Sequence, residues 1–348
     1  MTSNLTSVYL TSGQNDMVLF QICNINNVYL LAIVSLFGLL FNAINICVFV
    51  KQGFRDKVNI SLFALAVSDI GTLLSSLIYS VSINPLLISA GLPVSLYELQ
   101  GVVAAFPRAT FSRITNCVTT YITFERCMCV VFPIKVKGII TARVTAVTLV
   151  FIYLAVASTL IPLYLGLVVR WRFDPFYNRT ILGMTFEFNN GPADINAVLN
   201  LHSSIQLASF ILISLFTSVL AGELRKQSKW RQQAAQTNDI SSRVAKKRVS
   251  KTIRMIAVMA AIYIVCYSLT VFHLIYNAVE PAYRSTLFAI YSSVLSFAIL
   301  MESVNSSIGI FLYYTMSAKY RITFLRMFLP YSQSTKSAVS YSATSEID

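Results

Sequence analysis

A small set of charged residues lies inside long apolar stretches of this 348-residue sequence: Asp69, Arg108, Arg113, Glu125, Arg126 and Glu302. A charge at the centre of a bilayer costs roughly 2.5–3.5 kcal/mol on insertion scales, so such residues are functional candidates. The chemistry that they offer is ion pairing and the binding of charged groups. No Gly-rich phosphate loop, His-Glu-x-x-His motif or nucleophile constellation accompanies them. We therefore expect neither an enzyme nor a cofactor.

The apolar stretches are long enough to cross a membrane. The chain is 56% hydrophobic and 12% charged, whereas a soluble domain carries about 25% charged residues. A helix needs about 20 apolar residues to span a bilayer. Runs of this kind cover residues 28–50, 58–80, 102–132, 142–168, 195–221, 252–278 and 286–314. The sequence therefore predicts an all-α membrane protein, a seven-transmembrane helix bundle in the lipid bilayer.

The positive charges indicate how this bundle is oriented. Twenty Lys and Arg residues lie in the loops and tail on one side of the seven spans, and four lie on the other side. Positive loops stay in the cytoplasm, so we predict a multi-pass plasma-membrane protein with an extracellular N-terminus. The formal net charge is +13. Because these charges form short clusters beside the spans and no single basic face, we expect no nucleic-acid partner.

The two terminal segments are polar. Residues 1–27 lack the basic and apolar regions of a signal peptide, so the first span is expected to be an uncleaved anchor behind an extracellular N-terminus. Asn4 and Asn178 begin glycosylation sequons on the outer side. Residues 317–329 show apolar residues at helical spacing between basic ones, which predicts a short amphipathic eighth helix on the inner leaflet. Residues 329–348 are rich in Ser and Thr and predict a disordered cytoplasmic tail. Its hydroxyls either serve arrestin binding after phosphorylation or belong to a plain tail.

Several short motifs occur in order along the spans. They are Asn42; Leu65-Ala66-Val67-Ser68-Asp69; Glu125-Arg126-Cys127 followed by Pro133; Cys266-Tyr267-Ser268-Leu269; Asn305-Ser306-Ser307-Ile308-Gly309-Ile310-Phe311-Leu312-Tyr313; and Tyr320-Arg321. Together they resemble rhodopsin-like (class A) G-protein-coupled receptors over roughly residues 28–328. The motif of the seventh span is similar to that of invertebrate neuropeptide (FMRFamide-type) receptors and molluscan chemosensory receptors.

The resemblance implies a signalling mechanism. An extracellular ligand would shift an equilibrium between inactive and active bundles, and a heterotrimeric G-protein would bind at Arg126, which Glu125 holds at rest. Pro133 and Tyr313 match further positions of the activation motifs. A polar site that holds sodium in the family is matched by Asp69, Thr115, Asn305 and Ser306, near Asn42. A water-filled cavity without sodium is the alternative. No other metal site is predicted, because His202 and His273 lack partners at metal-ligand spacing.

The sequence also departs from this family. Gly101 stands where the third helix usually begins with a Cys, and Cys23 alone of six cysteines lies on the outer side, so we predict no disulfide. Gly309 and Ile310 replace the usual Asn-Pro of the seventh helix. No acidic residue lies near Val249 at the inner end of the sixth span, so we expect an inactive state that is less firmly locked than usual. Such drift favours a chemosensory receptor over a hormone receptor.

The outer half of the bundle is the predicted ligand site. Arg108 lies 18 residues before Arg126, which is about 27 Å along a helix, and Arg113 is rotated from Arg108 by about 140°. Two interpretations of Arg108 stay open. It binds an acidic group of a small anionic or peptide ligand, or it pairs with Glu302. The same cavity has further candidate lining residues, namely Gln206, Tyr267, His273, Tyr276 and Tyr291.

Other functions of seven-helix proteins fit the sequence less well. A retinal protein needs a Lys in its last span, and residues 286–314 contain none. Transporters often show internal repeats and broken helices, and neither is evident. An odorant-gated channel needs no G-protein site, whereas Glu125 and Arg126 indicate one. We therefore predict a G-protein-coupled receptor for a chemosensory cue, with a neuropeptide receptor as the alternative.

Overall fold

The computed structural model describes residues 14–132, 136, 138–175, 178–187, 192–233, 240–279 and 288–328. Within these residues the chain is predominantly α-helical, and a long helix overlaps each of the seven apolar runs. Asn4, Pro133 and the Ser/Thr-rich tail lie outside the described residues.

The seven spans are numbered here in chain order. The first comprises Gln14–Asn24 and Leu31–Gln52, joined by the π-helical segment Ile25–Leu30. The others are Lys57–Ser82, Phe106–Val131, Ala142–Ser158 with Ile161–Leu165, Pro192–Gln233, Ile240–Val279, and Phe288–Ser307 with Gly309–Met316. Shorter segments lead into the third span, namely Pro85–Ser89, Leu96–Gln100 and the π-helical Gly101–Ala105. The first span thus begins at Gln14 and not at residue 28, so part of the predicted N-terminal segment is helical.

The third span is the central helix of the bundle. Six helical segments among the described residues are long and apolar enough to cross a membrane, and Phe106–Val131 is not one of them. It carries Arg108, Arg113, Glu125 and Arg126 and packs against the second, fourth, fifth and sixth spans. Because these neighbours shield it from lipid, its polar side chains cost less here than on the outside of the bundle.

A β-hairpin that the sequence did not predict follows the fourth span. Strand β1, Leu167–Asp174, pairs antiparallel with strand β2, Arg179–Phe186. Asn178 in the connecting turn has a φ of 48°, a left-handed conformation that Asn tolerates. The predicted fourth span, residues 142–168, was therefore too long. Its helix is capped at Gly166. The β-branched residues Val168 and Val169, which favour strands, belong to β1 instead.

The predicted amphipathic eighth helix is present as Ala318–Phe328. Its Tyr320 is 1% exposed and donates a hydrogen bond to Asn45 Oδ1 at 2.6 Å. The same ring packs against Phe49 and Tyr313, with ring centroids 5.7 and 5.6 Å away. These contacts fix the eighth helix to the first and seventh spans and position Tyr313 in the inner core.

Candidate ligand and signalling sites

A buried carboxylate joins three spans in the outer half of the bundle. Glu302 Oε2 accepts hydrogen bonds from Arg108 Nη1 at 2.9 Å and from Ser112 Oγ at 3.1 Å. Its Oε1 accepts from Thr270 Oγ1 at 2.9 Å. Glu302 is 2% exposed, so this desolvated charge is compensated by a cation and two hydroxyls. Of the two interpretations of Arg108, the pair with Glu302 is therefore present, and the binding of an acidic ligand stays a prediction.

The candidate lining residues separate into groups around this carboxylate. The Tyr267 hydroxyl lies 3.3 Å from Ser112 Oγ, which places Tyr267 in the same network. His273 packs on Tyr291 with ring centroids 4.5 Å apart. Gln206 is fully buried and accepts a hydrogen bond from Asn116 Nδ2. Tyr276, in contrast, stacks beside the exposed ring of Phe272 and is itself exposed. Tyr276 therefore lies on the face of the sixth span that points away from the other spans.

The two histidines are buried at separate places. His202 Nε2 lies 2.8 Å from Thr159 Oγ1, a side chain of the fourth span. This contact gives the buried His202 ring a hydrogen-bond partner. Groups of three or more His, Cys, Asp or Glu that suit a metal ion do not occur among the described residues.

Polar groups surround Asp69 in the middle of the bundle. Thr115 Oγ1 donates to Asp69 Oδ1 at 3.2 Å, and the Ser306 hydroxyl lies beside the same carboxylate. Asn42 donates to the Ser306 carbonyl at 2.7 Å and not to Asp69. Asp69 and Asn305 line a cavity of about 30 Å³, which is large enough to hold a water molecule. These oxygen ligands fit one small cation or one water.

The inner end of the third span contains a second buried carboxylate. Glu125 is 0% exposed, and its Oε1 lies 3.3 Å from Arg126 Nη2 and 3.1 Å from Lys57 Nζ. Its Oε2 has no hydrogen-bond partner among the described residues. The sequence assigns Lys57 only to the cytoplasmic charge cluster. The ion pair between Lys57 and Glu125 was missed because the position of a lysine in a loop does not show the direction in which its flexible side chain points.

The seventh span is interrupted at Ile308 although no proline follows. Phe311 N donates to Ile308 O at 3.2 Å, an i to i−3 bond in place of the α-helical i−4 bond. A Cβ added at Gly309 would lie 3.2 Å from Tyr313 Cε2, so glycine lets this ring lie close to the backbone. Although Gly309 and Ile310 replace the usual Asn-Pro, the helix is therefore still interrupted before Tyr313.

The ordered motifs and the helical bundle agree with a family match. Residues 41–313 match the family described as 7 transmembrane receptor (rhodopsin family). The chain belongs to this family. No individual curated protein matches the chain. The match begins beside Asn42 and ends at Tyr313, so it reaches from the first span to the seventh and confirms the predicted fold and receptor family. The finer likeness to neuropeptide and chemosensory receptors stays a prediction.

In this rhodopsin-family receptor the outer loops are held together without a disulfide. All six cysteines are free. Leu182 N in β2 donates to Pro93 O at 2.8 Å, and Ser95 N donates to Leu182 O at 3.0 Å. The hairpin is thereby attached by backbone hydrogen bonds to the loop that precedes the third span, close to Gly101.

Glu98 strengthens the same attachment in the receptor. One carboxylate oxygen forms an ion pair with Arg172 of β1, and the other accepts a hydrogen bond from Met184 N of β2 at 2.7 Å. A single acidic residue therefore binds both strands of the hairpin. Asn178 is exposed at the tip of this hairpin, where a glycan would be accessible.

Proposed function

We propose that this receptor detects an extracellular chemical cue and activates a heterotrimeric G-protein. The observation that carries the proposal is the pair of Glu125 and Arg126 at the inner end of the third span, with the two residues 0% and 9% exposed. One carboxylate oxygen holds Arg126, and the pair lies where the inner ends of the spans meet. Separation of these ends would release Arg126 from Glu125 and present it to the G-protein.

The orientation of the receptor is part of the proposal. The excess of Lys and Arg in the loops beside Arg126 supports a cytoplasmic inner end and an extracellular N-terminus in the plasma membrane. The hydroxyl-rich tail, residues 329–348, would then be cytoplasmic and available for phosphorylation and arrestin binding. Glycosylation at Asn4 and Asn178 would occur on the opposite side.

The cue would bind in the outer half of the bundle, among the third, fifth, sixth and seventh spans. The buried network of Arg108, Glu302 and Tyr267 supports this location, because a ligand that contacts a polar network shared by several spans can favour one arrangement of those spans over another. A small anionic molecule fits such a network. The absent disulfide and the altered seventh-span motif favour a chemosensory cue, and the neuropeptide alternative is supported by motif resemblance alone.

The polar cavity at Asp69 would couple the ligand site at the outer end of the bundle to the G-protein site at the inner end. Asp69, Thr115 and Ser306 supply the hard oxygen ligands that a sodium ion prefers. We include one small cation or one water at this place in the proposed resting state.

Nucleotide exchange tests the proposed function. The full-length receptor is reconstituted with a heterotrimeric G-protein in nanodiscs, and GTP uptake is followed with and without a panel of small acids and peptides. We expect uptake above that of the G-protein alone. Arg126→Leu should abolish it, whereas Arg143→Leu, which removes an exposed arginine at the start of the fourth span, should not. Equal uptake by wild type and Arg126→Leu would contradict the proposal.

A further inference from the structure

The guanidinium of Arg113 is buried without a counter-charge of its own. Arg113 is 7% exposed, and its Nε and Nη1 have no hydrogen-bond partner among the described residues. It lies five residues beyond Arg108, about 7.5 Å deeper in the bundle. A buried ion without a partner is strongly unfavourable, so this position calls for an anion.

The groups around Arg113 are mainly donors and neutral side chains of three spans. His202 of the fifth span and Tyr263 of the sixth lie within electrostatic range of the guanidinium, as does Cys117 on its own span. Gln206 lies beside Tyr263, and its carbonyl already accepts from Asn116. The Gln206 Nε2 amide and the Tyr263 hydroxyl have no hydrogen-bond partner among the described residues, although both side chains are fully buried.

The acid within electrostatic range of Arg113 is already engaged. Glu302 feels the charges of both Arg108 and Arg113, but its two oxygens accept hydrogen bonds from Arg108, Ser112 and Thr270. One carboxylate thus faces two buried cations. The outer network is left with one uncompensated positive charge, and that charge is on Arg113.

We propose that Arg113, together with Gln206 Nε2 and the Tyr263 hydroxyl, binds the carboxylate of a small monoanionic ligand. The proposal rests on ligand detection as the receptor's function and names the ligand class. The fork of Nε–H and Nη–H groups matches the two oxygens of a carboxylate. One cation compensates one negative charge, whereas a phosphate dianion would bring a second charge into a site with no second free cation among the described residues. The stacked rings of Tyr263 and Tyr267, with centroids 4.3 Å apart, suit an apolar ligand body.

The closed state of the site links binding to movement. Because Arg113 is 7% exposed, a ligand reaches it only when the side chains that cover the guanidinium move aside. A carboxylate bound there stabilises the arrangement that admits it and so shifts the equilibrium towards that arrangement.

Thermal unfolding of the full-length receptor in nanodiscs tests the proposal without a G-protein. The probes are sodium hexanoate and two ligands of equal chain length, hexanol and hexylamine, with sodium sulfate as the background salt. We expect saturating hexanoate to raise the Tm of the wild type by about 3 °C or more, and the two other probes to leave it unchanged. Arg113→Gln should abolish the hexanoate shift. Tyr263→Phe should weaken hexanoate binding about fivefold, since it removes one hydrogen bond and keeps the ring.

Two controls test whether the effect belongs to this site. Arg143→Gln removes an exposed arginine at the start of the fourth span and should keep the hexanoate shift. Arg113→Met should raise the Tm of the unliganded receptor or leave it unchanged, because it removes an unpaired buried charge. A shift that is absent from the wild type, retained in Arg113→Gln or lost in Arg143→Gln would overturn the proposal, as would a large fall in the Tm of unliganded Arg113→Met.

The proposed function fails independently of this site. If hexanoate does not stabilise the receptor but GTP uptake still depends on Arg126, the carboxylate site is wrong and G-protein coupling stands. If hexanoate stabilises the receptor through Arg113 and no uptake occurs, the coupling is wrong and the site stands.

Discussion

The two buried carboxylates, Glu302 of the seventh span and Glu125 of the third, are held in different ways. Both oxygens of Glu302 accept hydrogen bonds, and the donors come from the third and sixth spans. Glu125 has both of its cations on one oxygen and leaves the other oxygen without a partner among the described residues. The outer network cross-links the spans, whereas the inner one can exchange partners at lower cost. We therefore expect the bundle to open at its inner end while the outer end stays joined.

Breaking the outer pair should have the largest effect. Glu302→Met leaves Arg108 buried without a partner, which costs about 3–5 kcal/mol of stability. The double variant Arg108→Met/Glu302→Met should recover most of this loss, because apolar residues of similar volume replace buried ion pairs at little cost. Thermal unfolding in nanodiscs measures both. A double variant that is as unstable as Glu302→Met would show that the pair is not the main contribution of these residues.

The inner carboxylate should control signalling more than stability. Glu125→Gln removes the charge that holds Arg126, so the active fraction of the unliganded receptor should rise. If the free-energy difference that favours the inactive state falls by about 1.4 kcal/mol, the active fraction rises about tenfold while it is small. Basal GTP exchange on a co-reconstituted G-protein is the measurement. Unchanged or lower basal exchange would mean that Glu125 does not restrain Arg126.

The hairpin attachment should show a smaller and local effect. Glu98→Ala removes an ion pair and a hydrogen bond to a charged acceptor, a loss of about 1–2 kcal/mol at this partly exposed position. Amides of Arg179–Phe186 should then exchange hydrogen faster. Glu187→Ala is the matched control, because its ion pair with Arg170 is exposed on both sides and should contribute little. Equal exchange rates in the two variants would mean that Glu98 does not hold the hairpin in place.

Lys57 should have the smallest effect, in the direction opposite to that of Glu125→Gln. Lys57 shares Glu125 Oε1 with Arg126, so Lys57→Gln leaves the carboxylate to Arg126 alone. Basal GTP exchange should fall, by less than about fivefold, since Lys57 is partly exposed and such pairs contribute about 1 kcal/mol or less. A rise in basal exchange would indicate that Lys57 helps to hold Glu125 in place.

The sequence predicted the fold well because apolar length and charge asymmetry are local properties. The seven spans and the eighth helix follow from them, and the motifs led to the receptor family that the match confirms. The hairpin was missed although residues 169–174 alternate between apolar and polar side chains, which is the pattern of a half-buried strand. The sequence indicated a span that continued to residue 168.

Contacts between spans were predictable only in part. Spacing along a helix gave the depth of Arg108, but the pair with Glu302 also depends on how the third and seventh spans are rotated against each other. The engagement of Ser112 and Thr270 with Glu302, and of Lys57 with Glu125, depends in addition on side-chain rotamers. Tyr276 was placed in the pocket because its depth is suitable, whereas its rotation turns it outwards beside Phe272.

Distances between paired spin labels test the contrast between the two ends most directly. One pair of labels is placed at the exposed inner positions Val131 and Arg254, and a second pair at the exposed outer positions Val103 and Val279. The inner pair joins the third and sixth spans, and the outer pair joins the π-helical segment that leads into the third span to the sixth. With a nucleotide-free G-protein bound, the inner distance should increase by several ångströms and the outer distance should stay constant. An unchanged inner distance, or an equal increase at both ends, would contradict the account.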